Sequence, residues 1–263
     1  MGRYYGTSGN DTISGQRSAT NTFLSFGNGA DVVGGGYYND VFNLTADSQK
    51  DSIYGSLGRD KVDYSGSSVG LTIDLQGRDG SGIGSVTYSG IRAADLDSIE
   101  DATGSAYRDT IYGTSGSNTL NGGGGSDTLY GRGGNDTLIG GSGGDDLYGG
   151  TGADTFAFST FLESSRHLPD DIMDFETNVD RIDLSGIDAN TQVDGNQSFF
   201  LGQGFSGGRY HFTGEAGELI WNSYMGGWLL EGDTNGDGSG DLAVAVYNAP
   251  DTTVALGNLD LVL

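Results

Sequence analysis

The chain has no cysteine, two prolines, two histidines and only 12 basic residues in 263. Without cysteine there is no disulfide framework, no thiolate metal site and no thiol nucleophile. Neither His167, in Ser165-Arg-His-Leu-Pro-Asp-Asp171, nor His211, in Arg209-Tyr-His-Phe-Thr-Gly214, has a Glu or His at ligand spacing, so a zinc site lacks its ligands. No H-E-x-x-H motif occurs. The adjacent Asp170-Asp171 reads as cation ligands or a solvated loop sooner than as a glycosidase pair. These absences predict a protein that is not an enzyme. The 36 acidic residues give a net charge of −24, which repels nucleic acid and anionic lipid and attracts cations. No run approaches the 18 apolar residues of a membrane span. The first 20 residues hold no apolar core, so no ordinary cleavable secretion leader is expected.

What the chain has in excess is glycine, 50 of 263, against a usual share of about 7 %. Such a composition means disorder unless the glycines are periodic, and they are. From Gly104 onward aspartate recurs every nine residues at Asp109, Asp127, Asp136, Asp145 and Asp154, with Asn118 filling the gap. The segments read GGGGSDTLY, GRGGNDTLI, GGSGGDDLY and GGTGADTFA. A looser array comes first, with Asp11, Asp31, Asp40, Asp51 and Asp60. Two residues after every one of these stands an apolar side chain: Ile13, Val33, Phe42, Ile53, Val62, Ile111, Leu120, Leu129, Leu138, Leu147 and Phe156. A register kept without exception is structure.

Three residues of the form x-apolar-x make a short strand with one side chain turned inward. The six residues before them, G-G-x-G-x-D, make a turn that needs glycine because carbonyls crowd together there. Two nonapeptides make one 18-residue coil, so residues i and i+18 stack. Asp109, Asp127 and Asp145 then line one edge, and Asn118, Asp136 and Asp154 the other. Stacked carboxylates repel unless a cation lies between them. Calcium suits the site, since it takes six to eight oxygens in flexible geometry.

The nonapeptide G-G-x-G-x-D-x-U-x resembles that of RTX exoproteins. It does so closely over residues 104–157 and loosely over 6–63. The resemblance implies an all-β, right-handed parallel β-roll with Ca²⁺ held by each aspartate and by nearby loop carbonyls. Carried onto this chain, the ligands are Asp109, Asp127, Asp136, Asp145, Asp154 and Asn118, with Gly122, Gly124, Gly131, Gly133 and Gly140 in the loops. The first array adds Asp11, Asp31, Asp40, Asp51 and Asp60. Asn118 lacks the charge, so its site is expected to be weaker. Asp40 and Asp51 are eleven residues apart with no glycine pair, which predicts a bulge. Asn21-Thr22-Phe23 fits an irregular rung between Asp11 and Asp31.

Residues 64–103 form an insert between the arrays. Val69-Gly-Leu71-Thr-Ile73-Asp-Leu75 alternates like a strand, as does Val86-Thr-Tyr88; GRDGSGIGS (77–85) reads as a loop and ADLDSIED (94–101) as a turn or helical piece. The expectation is wider solenoid coils, the alternative a separate ligand-binding lobe. Four units are therefore expected: an irregular roll over 1–63, the insert over 64–103, a regular roll over 104–157 and a C-terminal domain over 158–263.

After Phe156 the glycine period stops, and eight of the eleven phenylalanines and both tryptophans fall between Phe156 and Trp228. Asp171-Ile-Met-Asp174-Phe175, Asp180-Arg-Ile182-Asp183-Leu184-Ser185, Ala216-Gly217-Glu218-Leu219 and the residues from Gly232-Asp233 resemble the C-terminal domain of serralysin-type metalloproteases. That resemblance implies a β-sandwich-like extension capping the roll. Within it, Asp233, Asn235, Asp237 and Asp241 stand at positions 1, 3, 5 and 9 of an EF-hand-like loop with Gly238 at 6, but Val244 replaces the bidentate Glu. A further calcium site and an acidic hairpin tip remain alternatives. The ending Leu259-Asp260-Leu261-Val262-Leu263 resembles the uncleaved signal of type I secretion substrates.

These readings converge on a secreted protein that folds on calcium outside the cell, with calcium ions and the type I secretion machinery as partners. A structural role at the cell exterior (surface layer, filament or matrix, through self-association) is the first expectation, since the repeats begin within six residues of Met1. The alternatives are an adhesin reading surface glycans through Tyr37, Tyr38, Trp221, Tyr224 or Trp228, and the secretion-and-folding half of a larger exoenzyme.

Overall fold

The computed structural model describes residues 2–16, 19–24, 28–76, 82–202, 204–206, 209–247 and 260–262. Residues 77–81 of the expected loop, and Leu259 and Leu263 of the terminal signal, lie outside the described residues. Strands account for nearly all the regular structure, and no helix occurs among the described residues. The inward residue of each x-apolar-x strand is fully buried from Phe23 to Ile182. A side chain this well covered stabilises by about 1.5–3 kcal/mol relative to exposure, which is how strands of three residues persist.

The strands stack into two parallel sheets. The first runs Gly2–Tyr5, Asn21–Leu24, Val41–Asn43, Lys61–Asp63, Asp101–Thr103, Thr119–Gly124, Thr137–Ser142, Thr155–Ala157, Arg181–Asp183 and Asp260–Val262. The second begins Thr12–Ser14, Val32–Gly36 and Asp51–Ser56, and resumes after the insert with Thr110–Tyr112, Thr128–Tyr130, Asp146–Tyr148 and Asp170–Ile172. Leu120 registers with Leu138 and Leu138 with Phe156, the 18-residue coil of the regular array. In the looser array Val33 registers with Ile53 and Phe42 with Val62, a coil of 20. Asn21–Leu24 supplies the rung between Asp11 and Asp31. Inside, the rings of Tyr4, Phe23 and Phe42 stack at 5.1 and 4.7 Å. Outside, those of Tyr112, Tyr130 and Tyr148 stack at 4.8 and 4.6 Å, because one residue type repeats every 18 positions.

The insert treats the two sheets differently. In the first, Asp101–Thr103 pairs directly with Lys61–Asp63. In the second, Ile91–Asp97, Gly84–Tyr88 and Thr72–Asp74 lie between Asp51–Ser56 and Thr110–Tyr112, and Gly84–Tyr88 runs antiparallel to both its neighbours. The stretch expected as a turn or helical piece is instead a strand: Ala94 and Leu96 alternate inward while Asp95 and Asp97 face out. Arg132 ties the insert to the regular array. Its guanidinium grips both oxygens of Asp74 at 2.9 and 3.1 Å, donates to the Gly113 carbonyl at 2.6 Å and lies over the Tyr112 ring.

Past Phe156 both sheets continue, and the all-β roll passes into a sandwich-like extension. Leu242–Val246 pairs parallel to Asp170–Ile172, then Gly227–Asp233 and Glu218–Tyr224 follow antiparallel. Leu242–Val246 is buried throughout because the connecting segment covers its outer side, with Ser164 Oγ donating to the Ala243 carbonyl at 2.5 Å.

Candidate metal centre

The loop aspartates form two ladders along the roll. In each, Oδ1 accepts the backbone N–H of the residue one coil earlier, which fixes both side chain and coil spacing. On one edge Asp109 N–H donates to Asp127 (2.7 Å), Asp127 to Asp145 (2.8 Å) and Asp145 to Asp170 (3.1 Å). On the other, Asn118 donates to Asp136 (2.7 Å), Asp136 to Asp154 (2.8 Å) and Asp154 to Asp180 (2.9 Å). The first array repeats this from Asp11 through Asp31 to Asp51, and from Asn21 through Asp40 to Asp60. Asp60 N–H is met by Glu100, and Leu71 N–H by Asp109, so the insert feeds the same ladders.

The second carboxylate oxygen distinguishes the positions. Oδ2 of Asp31, Asp127, Asp136, Asp145, Asp154 and Asp170 is buried with no hydrogen-bond donor. An unpartnered buried charge of this kind is costly unless a cation meets it. At Asp11, Asp40 and Asp109, by contrast, loop N–H groups reach the carboxylate, from Thr7 at 2.6 Å, Gly36 at 2.6 Å and Ser105 at 2.5 Å. Asn118 Oδ1 accepts from Thr114 N–H at 2.7 Å, and its amide donates to the Glu100 carbonyl at 2.5 Å, filling the gap with a neutral contact.

The loop glycines complete the cradle. A Cβ on Gly122 or Gly131 would lie against both an aspartate Oδ2 and the carbonyl of the glycine one coil on, Gly140 or Gly149. At Gly35 the same position is 2.5 Å from Asp40 Oδ2 and 2.5 Å from the Gly55 carbonyl. At Gly140 it is 2.5 Å from Asp145 Oδ2 and 3.0 Å from Asp170 Oδ2, so a second carboxylate takes the place of the carbonyl. Gly124 and Gly133 lie further out, bonded to the Ser105 and Thr114 carbonyls of the neighbouring coil. On each edge the ladder carboxylates come one to a coil, and no three His, Asp or Glu side chains converge among the described residues. A cation here draws its remaining oxygens from the backbone. That hard, all-oxygen donor set, with its buried unpartnered carboxylates, fits calcium and leaves nothing for zinc.

Burial drives the electrostatics. It pushes the Asp127 carboxyl up to about 8 and Asp136 to about 7, with the like charges of Asp145 and Asp154, respectively, adding to it. Asp145 and Asp154 rise to about 6 and Asp170 to about 9, Asp170 through burial and the neighbouring Asp145. Asp51 and Asp60 are pushed to about 7 for the same reason.

Asp170, Asp180 and Glu100 extend the ladders beyond the residues the nine-residue period singled out. Each precedes an inward residue by two, Ile172, Ile182 and Ala102. For Asp170 and Asp180 that signal stands without the glycines and at a spacing of 25 and 26 from the last repeats, and for Glu100 at 40 from Asp60. The Asp233 loop behaves otherwise. Asp233 accepts from the N–H groups of Asn235, Gly236 and Gly238, and Asp241 from Thr234 and from the Asn235 side chain. Asp237 accepts from Ser239 N–H. The structure brings these four residues together with the loop's own donors on their oxygens. Trp221 and Trp228 stack on each other at 5.6 Å, and Trp221 is buried, whereas Tyr37 and Tyr38 are exposed.

Comparison with known proteins bears on the same residues. The family described as peptidase M10 serralysin C terminal matches residues 37–253. The RTX calcium-binding nonapeptide repeat, four copies, matches residues 3–19. Among solved structures, the chain is similar to a subunit of the Azotobacter vinelandii mannuronan C5-epimerase, at 32% identity and a TM-score of 0.43, over 58% of this chain and 77% of that one. No curated protein sequence matches the chain.

Proposed function

The chain belongs to the peptidase M10 serralysin C-terminal family, and on that premise we propose that it is an exported protein whose fold is completed by calcium outside the cell. Its RTX repeats make it a calcium-binding protein of a kind typical of secretion. The observation that carries the finer reading is the two ladders of buried carboxylates with an unpartnered Oδ2. Asp31, Asp127, Asp136, Asp145, Asp154 and Asp170 would hold the ions, with glycine carbonyls of the adjoining coils. When bound, calcium supplies positive charge between like-charged rungs. The chain's own part is to fix each carboxylate through Oδ1 and to keep glycine where a side chain would fill the cradle. Without that charge, ordering 50 glycines at about 1–2 kcal/mol of backbone entropy per residue is unfavourable. In a calcium-poor cytosol the chain then stays open for the type I secretion machinery, and extracellular millimolar calcium turns binding into folding.

For the folded object we infer a structural role at the cell exterior, as a surface-layer, filament or matrix subunit. Its support is that, among the described residues, both sheets have outermost strands with one neighbour each, Gly2–Tyr5 and Thr12–Ser14, at the same end of the roll. Such edges pair with further chains. Sedimentation velocity in chelator and then in a few millimolar calcium tests both parts. An expanded chain that becomes compact supports calcium folding, and growth into regular larger species supports assembly. A compact monomer in both conditions refutes the calcium reading, and a compact monomer in calcium alone refutes assembly.

A further inference from the structure

The few basic groups of this acidic chain are not evenly spread. Arg166 and Arg209 line one cleft on the outer face of the C-terminal antiparallel strands, with His211 and Tyr210 beside them. Glu231 and Asn222 form its floor, and its volume is about 310 Å³. The cleft is held in shape before any ligand arrives. Asn222 accepts from Tyr210 N–H at 2.9 Å and donates to the Tyr210 carbonyl at 3.0 Å, which pins the segment carrying Arg209 and His211 to the sheet. Glu231 is 4% exposed, and Arg166 Nε lies 3.2 Å from its Oε1. Among the described residues no hydrogen bond reaches Glu231 Oε1, and no carboxylate lies within ion-pair distance of Arg209, whose charge, like that of Arg166, acts on Glu231.

Two guanidiniums against one carboxylate leave a local positive spot on a molecule of charge −24. Planar guanidinium forks match a carboxylate. A buried carboxylate without a donor matches a hydroxyl, and the Tyr210 ring, 39% exposed, offers an apolar face. A ligand that brings one carboxylate, several hydroxyls and an apolar face on one compact ring is an acidic sugar, and a cleft of this size admits one such ring. An aspartate or glutamate of another protein would satisfy the arginines but leave Glu231 without a donor. We propose that this cleft binds a uronic-acid unit of an acidic saccharide, with Arg166 and Arg209 on the carboxylate, Glu231 accepting a ring hydroxyl and Tyr210 against the ring. The site stands apart from the carboxylate ladders and does not depend on self-assembly.

The test is calorimetric titration of the full chain, in calcium sufficient to saturate its circular dichroism change, with a galacturonate tetramer and a glucuronate-containing tetramer. Maltotetraose is the neutral control and tetra-aspartate the peptide control. Binding of a uronate tetramer, silence with maltotetraose, and at least about tenfold weakening in R209Q and in R166Q/R209Q support the site. R181Q, on the opposite sheet, is expected to bind as the parent does. Should removal of Arg166 beside buried Glu231 perturb the fold, R209Q alone decides, because Arg209 is exposed. Four results overturn the proposal: no binding of either uronate, equal binding of maltotetraose, tighter binding of tetra-aspartate, or arginine variants that bind unchanged, which would place the saccharide on ladder calcium.

Discussion

The sharpest consequence of the cradle geometry is that one substitution, glycine to alanine, should have opposite effects at two places in the same array. At Gly140 the new Cβ lies 2.5 Å from Asp145 Oδ2 and 3.0 Å from Asp170 Oδ2, the first nearly an ångström inside ordinary contact. Both oxygens belong to buried side chains on the ladder, so neither swings away freely. Overpacking of this kind costs about 1–3 kcal/mol. Losing one cation held at a hundredfold excess over its dissociation constant costs about 2.7 kcal/mol more. A sum of about 4–6 kcal/mol is a large part of a typical 5–15 kcal/mol, and for a chain of this size corresponds to a melting temperature lower by on the order of 10 °C. At Gly116 the new Cβ meets nothing nearer than Thr114 Oγ1 at 3.8 Å. Its φ lies outside the left-handed region, so Gly116→Ala should stabilise by about 0.4–1 kcal/mol through the unfolded chain. The assay is thermal melting in saturating calcium and a calcium titration by circular dichroism. If G140A melts with G116A and takes up calcium at the same midpoint, the cradle is not where the cation sits.

The remaining predictions concern charge and the insert. The carboxyls of Asp51, Asp60, Asp127, Asp136, Asp145, Asp154 and Asp170 stand at about 6 to 9 in the folded chain, raised chiefly by burial. A raised carboxyl favours the fold below its ordinary value and withdraws that favour as pH climbs through the raised one. In chelator, therefore, the roll should be more ordered at pH 5 than at pH 8 by far-ultraviolet circular dichroism; more order at pH 8 would contradict this. Asn118→Asp should bind additional calcium by equilibrium dialysis and raise the calcium needed for folding to begin, because a new charge then faces the Glu100 carbonyl. Arg132→Gln removes the guanidinium fork from Asp74, 5% exposed, and should cost about 1.5–3 kcal/mol; hydrogen exchange in Thr72–Asp74 and Gly84–Tyr88 should quicken before the regular array is affected.

How much of this was legible in the sequence follows from how each part is built. The coil is local: nine residues fix a turn and a strand, so the period of Asp109 to Asp154 and the inward residues two places on give the ladders directly. Asp170 and Asp180 join the same ladders, but the loops before them are lengthened and carry no glycine pair, so only the burial of Ile172 and Ile182 marks them. The insert hides its topology for a different reason. Alternation in Val86-Thr-Tyr88 announces a strand but not its direction, and the antiparallel run of Gly84–Tyr88 is decided by pairing with Ile91–Asp97. The stretch 94–101 reads as a turn or helical piece, yet burial of Ala94 and Leu96 makes Ala94-Asp95-Leu96-Asp97 a strand. The cationic cleft is beyond any local pattern, since Arg166 reaches Glu231 only after the connecting segment has folded back over the last sheet.

One coil of the regular array is 18 residues long in sequence but occupies a single strand spacing of about 4.8 Å along the roll. Its strands run across that axis, so a pull on the two ends loads the few hydrogen bonds of the terminal coil first and leaves its neighbours untouched. A freed coil reaches about 60 Å when extended. Tension would therefore be met by lengthening in equal steps of some ten times the folded rise, each releasing its share of calcium, and slackening in calcium would wind the coils back. The nonapeptide that builds the fold would then also make it a reversible, ion-latched spring.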